Sequence, residues 1–197
     1  MPNRTPKPFP YRILIVDDEP LLLETAAMIL GERGYEVHTA CDGFEALTAL
    51  RQSLPDLLIS DLSMPNMSGF ELLSVVRRRF PHLPVIAISG QYNGTAPTGL
   101  IADAFFSKGR YSHEELFNKI LELLDQSPIR PNISKPDKAP VWVPRSGKGY
   151  FVVTCPNCLR SFSVQDNNGK EYRETRCIFC DSTVGYLADT SRVIKKA

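Results

Sequence analysis

The chain has 197 residues, 43% of them hydrophobic, and a formal net charge of +1, so we expect one domain of ordinary size with a smaller addition. It contains no stretch of about eighteen apolar residues, which argues against a membrane-spanning helix. The first ten residues include basic residues and four prolines but no apolar segment. We therefore expect a disordered tail over 1–10 instead of a signal peptide, and a cytoplasmic protein.

The small net charge conceals an uneven distribution. Residues 11–126 hold 9 Lys and Arg against 16 Asp and Glu, whereas residues 127–197 hold 12 against 6. An acidic front and a basic back indicate two modules with different partners.

Between residues 11 and 126, short β-branched runs alternate with amphipathic runs of helical period. The predicted strands cover 12–16, 35–40, 57–60, 84–89 and 104–107, and the predicted helices cover 20–34, 43–53, 70–80 and 112–126. The last helix begins with a capping box, in which Ser112 is followed three residues later by Glu115. Strands that alternate with helices predict a doubly wound parallel sheet of the (βα)5 type.

This alternation weakens in two places. Residues 90–103 are rich in Gly, Thr and Pro, so we expect the helix due between the fourth and fifth strands to be short, irregular or mobile. Residues 127–149 contain five prolines and predict a semi-rigid linker. Beyond it we expect a small folded module over 150–190 and a basic tail over 191–197.

Polar residues collect at the ends of the predicted strands. Asp17 and Asp18 follow the first strand, Asp61 follows the third, Ser89 ends the fourth and Lys108 follows the fifth. The carboxyl ends of parallel strands share one edge of the sheet, where functional residues gather. Carboxylates suit Mg²⁺ and one of them can accept a phosphoryl group, while a lysine and a serine can share the transferred charge.

These residues lie within motifs that resemble the receiver domain of two-component response regulators, which has a flavodoxin-like fold. The matching segments are ILIVDDEP, DLSMPNMSG, VIAISG and FSKG. The resemblance implies that Asp61 accepts a phosphoryl group from a histidine kinase or phosphotransfer protein. It also implies that Asp17, Asp18, Asp61 and the backbone carbonyl of Ser63 hold Mg²⁺.

The same resemblance assigns three further roles. Ser89 would bind the phosphoryl oxygens and shift inward, Lys108 would pair with the phosphoryl group, and Phe105 matches the aromatic switch. Three departures stand out: Gly109 replaces the usual proline, the segment from Ser89 to Lys108 is short, and Phe105 lacks the hydroxyl of the commoner tyrosine. The short segment puts the usual receiver dimer in doubt, because the family commonly uses that surface for dimerisation or output.

Two CxxC pairs separated by eighteen residues predict a closed tetrathiolate metal site. Its ligands would be Cys155, Cys158, Cys177 and Cys180. Zinc is the expected ion, and iron in a rubredoxin-like site is the rival, since the ligand set is the same. Residues 150–187 resemble a short bacterial zinc ribbon, whereas the solitary Cys41 is interpreted as incidental.

The sequence leaves the output of this second module open. We expect no enzymatic output and no helix-turn-helix, so the favoured hypothesis is that the ribbon docks a partner protein under control of the first domain. The alternative is that its basic and aromatic residues bind DNA or RNA. A third hypothesis makes the chain a phosphate shuttle with the ribbon as a tether.

Overall fold

Five strands form one parallel sheet in the order β2-β1-β3-β4-β5. The structure is a computed structural model that describes residues 10–92, 95–126, 141–143, 149–166 and 172–188. The strands are β1 (Arg12–Val16), β2 (Glu36–Ala40), β3 (Leu57–Asp61), β4 (Val85–Ser89) and β5 (Ala104–Ser107). The predicted doubly wound fold is therefore confirmed, and we call residues 11–126 the α/β domain.

Four helices cover the two faces of this sheet. They are α1 (Pro20–Glu32), α2 (Gly43–Gln52), α3 (Gly69–Arg79) and α4 (His113–Gln126). Alternate residues of a strand face opposite sides. Ile13 and Ile15 accordingly pack with α1 and α4, while Leu14 and Val16 pack with α2 and α3. No helix within the described ranges is both long and apolar enough to cross a membrane.

Side-chain caps fix where three of the helices begin. The carboxylate of Asp42 accepts a hydrogen bond from the backbone of Glu45 at 2.9 Å. Ser68 and Glu71 form a capping box at the start of α3. Ser112 and Glu115 form the predicted box before α4, with the Glu115 backbone N–H 3.2 Å from the serine hydroxyl. These bonds satisfy backbone donors that a helix leaves free at its first turn.

The described residues between β4 and β5, 90–92 and 95–103, contain no helix, as their composition predicts. A buried arginine on α3 holds the end of this segment. The guanidinium of Arg77 donates to the carbonyl of Ile101 and, at 2.8 Å, to the carboxylate of Asp103. The same carboxylate oxygen accepts from the backbone N–H of Val85. Arg77 therefore ties α3 to the starts of both β4 and β5.

The cysteines belong to a second unit built from two hairpins. Its strands are β6 (Val141–Val143), β7 (Tyr150–Thr154), β8 (Ser161–Gln165), β9 (Tyr172–Arg176) and β10 (Thr183–Ala188). β7 pairs with β8 and β9 pairs with β10, both antiparallel, and β6 runs parallel to β10 on its other side. We call the described part of 141–188 the cysteine module.

The prediction that all of 127–149 is linker was wrong for its three residues 141–143. They form β6, in which Val141 pairs with Tyr186 and Val143 with Ala188. The valines favour an extended, half-buried conformation, and the open edge of β10 gives this strand a partner. Residues 127–140, 144–148 and 189–197 lie outside the described part of the chain, as do 1–9, so the predicted tails and the rest of the linker are not described.

Gly69, the first residue of α3, lies against the backbone of β3. A Cβ atom at this position would stand 2.0 Å from the carbonyl oxygen of Asp61 and 2.8 Å from the Cα of Leu62. Backbone atoms cannot give way as a flexible side chain can. We expect Gly69→Ala to lower the free energy of unfolding, measured with urea, by about 2–3 kcal/mol.

Gly31 supplies the matched control, because it lies near the end of α1 with no atom within 4 Å of an added Cβ. Gly31→Ala should raise the same free energy by about 0.5–1 kcal/mol, since alanine favours a helix. Equal urea midpoints for Gly69→Ala and the unsubstituted chain would contradict this account of the contact.

Candidate functional site

The sheet brings four of the predicted site residues to one edge. Asp17 follows β1 and Asp61 ends β3, and these two strands are neighbours in the sheet. Ser89 ends β4, and Lys108 follows β5 beside it. The backbone N–H of Lys108 donates to the carbonyl of Ser89 at 2.9 Å. Parallel pairing therefore places the carboxylates, the serine and the lysine at the same carboxyl edge, as predicted.

Lys108 lies between two buried carboxylates. Its Nζ is 2.7 Å from Oδ2 of Asp17 and 2.6 Å from Oδ2 of Asp61, whose exposed fraction is only 5%. Burial alone lowers the pKa of Lys108, but its hydrogen bonds with Asp17 and Asp61 outweigh that effect and raise the pKa above its usual value. The ammonium therefore stays charged and compensates the two acids.

Each of these carboxylates keeps its second oxygen on a backbone donor. Oδ1 of Asp61 accepts from the N–H of Ser63 at 3.0 Å, and Oδ1 of Asp17 accepts from the N–H of Glu19 at 3.0 Å. Two different bonds at opposite ends of a carboxylate fix its orientation. The carboxylate of Asp61 is thus held in one orientation by the backbone of Ser63 at one oxygen and by Lys108 at the other.

The three aspartates fit a hard divalent cation. Asp17, Asp18 and Asp61 each offer a carboxylate oxygen, and these oxygens all lie within 4.8 Å of one another. Asp18 is exposed, while the other two are buried, so one side of the cluster faces solvent. An all-oxygen donor set with an open side suits Mg²⁺, which keeps several of its waters. We call Asp17, Asp18 and Asp61 the carboxylate cluster.

Two hydroxyl groups lie next to this cluster. Ser89 is fully buried, and its Oγ accepts from the N–H of Gln91 at 3.3 Å and lies 3.5 Å from Oγ of Ser63. The structure thereby brings Ser63 and Ser89 together with Asp61. Phe105 is half-buried on β5 and packs with the apolar residues on the α2–α3 side. Its role as a switch stays a prediction.

Gly109 explains one departure from the receiver pattern. Its φ is +76°, in the left-handed region that glycine adopts easily. A proline ring fixes φ near −65°, so the turn after Lys108 has a shape that proline cannot take. In the sequence, the glycine directly after Lys108 indicates this turn. Gly69 ends the quoted segment DLSMPNMSG, although its close contact with β3 could not be read from that motif, and Arg77 lies in no motif that would mark it in the sequence.

The four predicted cysteine ligands form a second candidate site. Each offers a sulfur, and the four sulfurs all lie within 4.8 Å of one another. Cys155 and Cys180 have their sulfurs 3.6 Å apart, and so do Cys158 and Cys177. Sulfurs bound at about 2.3 Å to one tetrahedral ion stand roughly 3.8 Å apart, so the cluster fits such an ion.

The two CxxC loops have nearly the same backbone. Leu159 donates to the carbonyl of Cys155 at 2.8 Å, and Asp181 donates to that of Cys177 at 2.9 Å. Both Leu159 and Asp181 have positive φ, at 55° and 57°. We call residues 155–159 the first knuckle and residues 177–181 the second knuckle. Each knuckle joins the two strands of one hairpin, so the cysteine cluster connects the hairpins.

The thiols differ in how readily they lose a proton. Burial raises the pKa of Cys155 to about 12, whereas hydrogen bonds with the side chain and backbone of Ser182 lower the pKa of Cys180 to about 6. Four thiolates repel one another without a cation. Because burial opposes ionisation of Cys155, a cation would stabilise its thiolate most. Cys41 is exposed and lies outside this cluster.

Comparison with known proteins identifies the family of the α/β domain. A family model described as response regulator receiver domain matches residues 13–120, more than half of the chain. The chain belongs to the response regulator receiver family. The four cysteines lie outside the matched residues.

Individual relatives agree with this assignment. The probable transcriptional regulatory protein TcrX of Mycobacterium tuberculosis is 39% identical over 82 residues, which make up 42% of this chain and 35% of that protein. The match therefore spans well under half of that relative's length.

Solved structures match the receiver domain over nearly their whole length. A CheY-like receiver domain protein from Methanospirillum hungatei gives a TM-score of 0.55 at 31% identity, covering 60% of this chain and 97% of that one. The response regulator TrrA of Thermotoga maritima, in complex with Mg²⁺ and BeF, gives 0.53 at 34% identity, covering 57% and 98%.

Proposed function

We propose that the chain is a two-component response regulator that is phosphorylated on Asp61 and signals through its cysteine module. The observation that supports this most is the position of Lys108, whose ammonium contacts both Asp17 and Asp61 at the carboxyl edge of the sheet. Receiver domains act with histidine kinases or phosphotransfer proteins, and one structural neighbour, TrrA, was solved with Mg²⁺ and BeF.

The proposed reaction uses Asp61 as the nucleophile. A carboxylate oxygen of Asp61 attacks phosphorus, the bond from phosphorus to the donor's histidine nitrogen breaks, and that nitrogen keeps the electron pair. Mg²⁺ held by Asp17, Asp18, Asp61 and the Ser63 carbonyl would neutralise charge on the phosphoryl oxygens. The chain itself is the acceptor, so we infer that it turns over no external substrate as an enzyme does.

The remaining site residues take roles around the new group. Lys108 would pair with a phosphoryl oxygen, since its ammonium already lies 2.6 Å from Asp61. The Ser89 hydroxyl, 3.5 Å from that of Ser63, would shift inward to bind a second oxygen. Phe105 lies on the strand next to Ser89 and would turn inward by packing alone, because it has no hydroxyl to bond.

We further propose that the cysteine cluster holds a structural Zn²⁺. Four sulfur ligands leave no open position for chemistry, which is typical of structural sites. The module is too small to bury a large core of its own, so the ion would supply much of its folding free energy. Iron is the alternative ion for the same ligands.

The tip of the second knuckle is the surface we propose for output. Ile178 is 73% exposed and Phe179 is 48% exposed, side by side between two zinc-ligand candidates. The guanidinium of Arg160 lies 5.4 Å from the centre of the Phe179 ring. An apolar tip next to an arginine suits a partner protein with an apolar pocket and a nearby carboxylate.

Nucleic acid is the second candidate partner, and the charge of the described module disfavours it. Its described residues include three arginines and three carboxylates, and two of these arginines are paired, Arg173 with Asp166 and Arg176 with Asp181. The exposed Tyr172 bonds to Glu174, which would repel phosphate. The basic excess of this half of the sequence lies in segments outside the described residues.

The first test concerns Asp61. Asp61→Asn should abolish labelling by acetyl phosphate and Mg²⁺, followed by intact mass, because the amide is a poor nucleophile. Asp42→Asn is the matched control, since Asp42 caps α2 and accepts from Asn66 but lies outside the carboxylate cluster, so it should label like the unsubstituted protein. Label retained on Asp61→Asn would contradict the assignment of the phosphoacceptor.

The second test concerns the metal. Cys155→Ser should reduce bound zinc from about one ion per chain to near zero, because Cys155 is a buried ligand of a closed site. Cys41→Ser should keep the full metal content, measured by elemental analysis. Visible absorption from an iron–thiolate centre in the purified protein would replace zinc with iron, and full zinc in Cys155→Ser would overturn the four-cysteine site.

The third test concerns the partner. A photo-crosslinking residue at position 179 should capture a protein in cells, and capture should depend on Asp61. The same residue at position 157, in the equivalent place of the first knuckle, should capture much less. Crosslinks from position 179 to DNA or RNA, together with binding that weakens steeply with salt in vitro, would favour the nucleic-acid alternative.

A further inference from the structure

The cysteine module and the receiver domain share one hydrophobic core. Val141 and Val143 of β6 are buried, and β6 lies against α3. Phe151 and Val153 of β7 belong to the same cluster of buried side chains as the inward faces of α2 and α3. The module therefore covers the α2–α3 side of the receiver domain.

The first knuckle also forms a hydrogen bond with the receiver domain. Leu159 is only 4% exposed, and its carbonyl accepts a hydrogen bond from the guanidinium of Arg51 on α2 at 3.4 Å. Asp181, the equivalent residue of the second knuckle, is exposed. The two knuckles have matching backbones but different side chains, so the apolar Leu159 defines which one packs against the receiver domain.

Packing of β6 on α3 and a hydrogen bond from α2 thus join the module to the receiver domain at two separate points.

The first residue of α3 touches the proposed phosphorylation site. The N–H of Gly69 donates to the carbonyl of Leu62 at 3.2 Å, and a Cβ on Gly69 would lie 2.0 Å from the carbonyl oxygen of Asp61. α3 therefore begins in direct contact with the backbone of the proposed phosphoacceptor. A shift of α3 by a fraction of an ångström would have to move that backbone.

The last turn of α3 is bonded to the segments that lead to the other half of the site. Arg77 is 5% exposed and donates to the carbonyl of Leu83 and to the carboxylate of Asp103. Asp103 immediately precedes β5, which leads to Lys108, and its carboxylate also binds the first residue of β4, which leads to Ser89. One helix therefore contacts or anchors the segments of three site residues.

We propose that metal loading of the cysteine module and ligand binding at Asp61 are coupled through α3. This inference rests on the proposed phosphorylation of Asp61 and on the metal at the four cysteines. The metal-loaded module packs on the outer side of α3 and fixes the helix that supports the Asp61 backbone. Loss of the metal unfolds the module and removes that support, so the metal favours binding at Asp61. Linkage requires the reverse effect to be equally large.

The test uses a variant that releases the module without touching a cysteine. Leu159→Asn keeps the positive φ, which asparagine tolerates, and removes the buried apolar contact. Asp181→Asn is the matched control, because it places the same residue at the equivalent, exposed position of the second knuckle, where φ is 57°. Both full-length proteins are checked for zinc content and then titrated with beryllofluoride in the presence of Mg²⁺.

The expected result is that Leu159→Asn keeps its zinc but binds beryllofluoride about fivefold more weakly than the unsubstituted protein. Asp181→Asn should bind as tightly as the unsubstituted protein. Amide hydrogen exchange across α3 should quicken in Leu159→Asn and stay unchanged in the control. Removal of zinc from the unsubstituted protein by a chelator should weaken beryllofluoride binding by at least as much.

Two outcomes separate the coupling from the function on which it rests. Equal beryllofluoride affinity in Leu159→Asn, in the zinc-free protein and in the unsubstituted protein would overturn the coupling and leave phosphorylation of Asp61 intact. No beryllofluoride binding by the unsubstituted protein would overturn the proposed function itself. If Leu159→Asn loses its zinc, the chelated unsubstituted protein decides the question, since its sequence is unchanged.

Discussion

The arrangement of the site depends on one cation, the ammonium of Lys108. Two largely buried carboxylates on neighbouring strands repel each other, and burial makes both expensive to ionise. Lys108 lies within 2.7 Å of Asp17 and within 2.6 Å of Asp61, which offsets that cost. The lysine can reach both acids only because β5 lies next to β4 and both run parallel to β1 and β3. The strand order is therefore required for the ammonium to balance the charges of the two carboxylates.

This requirement explains why the site was the easiest part to predict. Each site residue follows a short apolar run, and parallel strands bring such residues to one edge whatever the details of packing. The position of Lys108 could be predicted in the same way, because it directly follows β5. Its contacts could not, since a sequence does not show which of several acids an ammonium will reach. The bond of Ser63 to Asp61 likewise depends on the exact path of the loop.

Contacts between the receiver domain and the cysteine module could not be predicted from the sequence, for a different reason. The prolines of 127–149 predict an extended chain, and nothing in three residues such as Val-Trp-Val indicates whether they will find a sheet edge. Strand β6 exists because β10 offers that edge, which is a tertiary effect. Leu159 is similar: a leucine after a CxxC pair has no periodic pattern around it. Leu159 is buried next to α2, which lies more than a hundred residues earlier in the chain and whose Arg51 donates to the Leu159 carbonyl.

The two knuckles show how one local motif can serve two purposes. The backbone turns around the cysteines are nearly identical, because both must direct two sulfurs at one ion. The residues that the metal does not constrain are free to differ. In the first knuckle the apolar residue stands after the second cysteine and packs inward, whereas in the second knuckle Ile178 and Phe179 stand between the cysteines and face solvent.

The two knuckles therefore present different surfaces, one toward the receiver domain and one toward solvent, on either side of the proposed metal site. The first knuckle bonds to α2, and β6 packs on α3, whose first residue contacts the Asp61 backbone. The second knuckle presents the apolar tip. With the proposed metal bound, the four sulfurs would connect the hairpins at distances set by metal–sulfur bonds, so a displacement of one hairpin would have to be shared by the other. The described residues between β4 and β5 form no helix that could connect the two sites. Helix α3 instead bonds through Arg77 to Asp103, just before β5. The proposed signal at Asp61 would therefore have a packed route to the exposed tip, through α3 and the cysteine cluster.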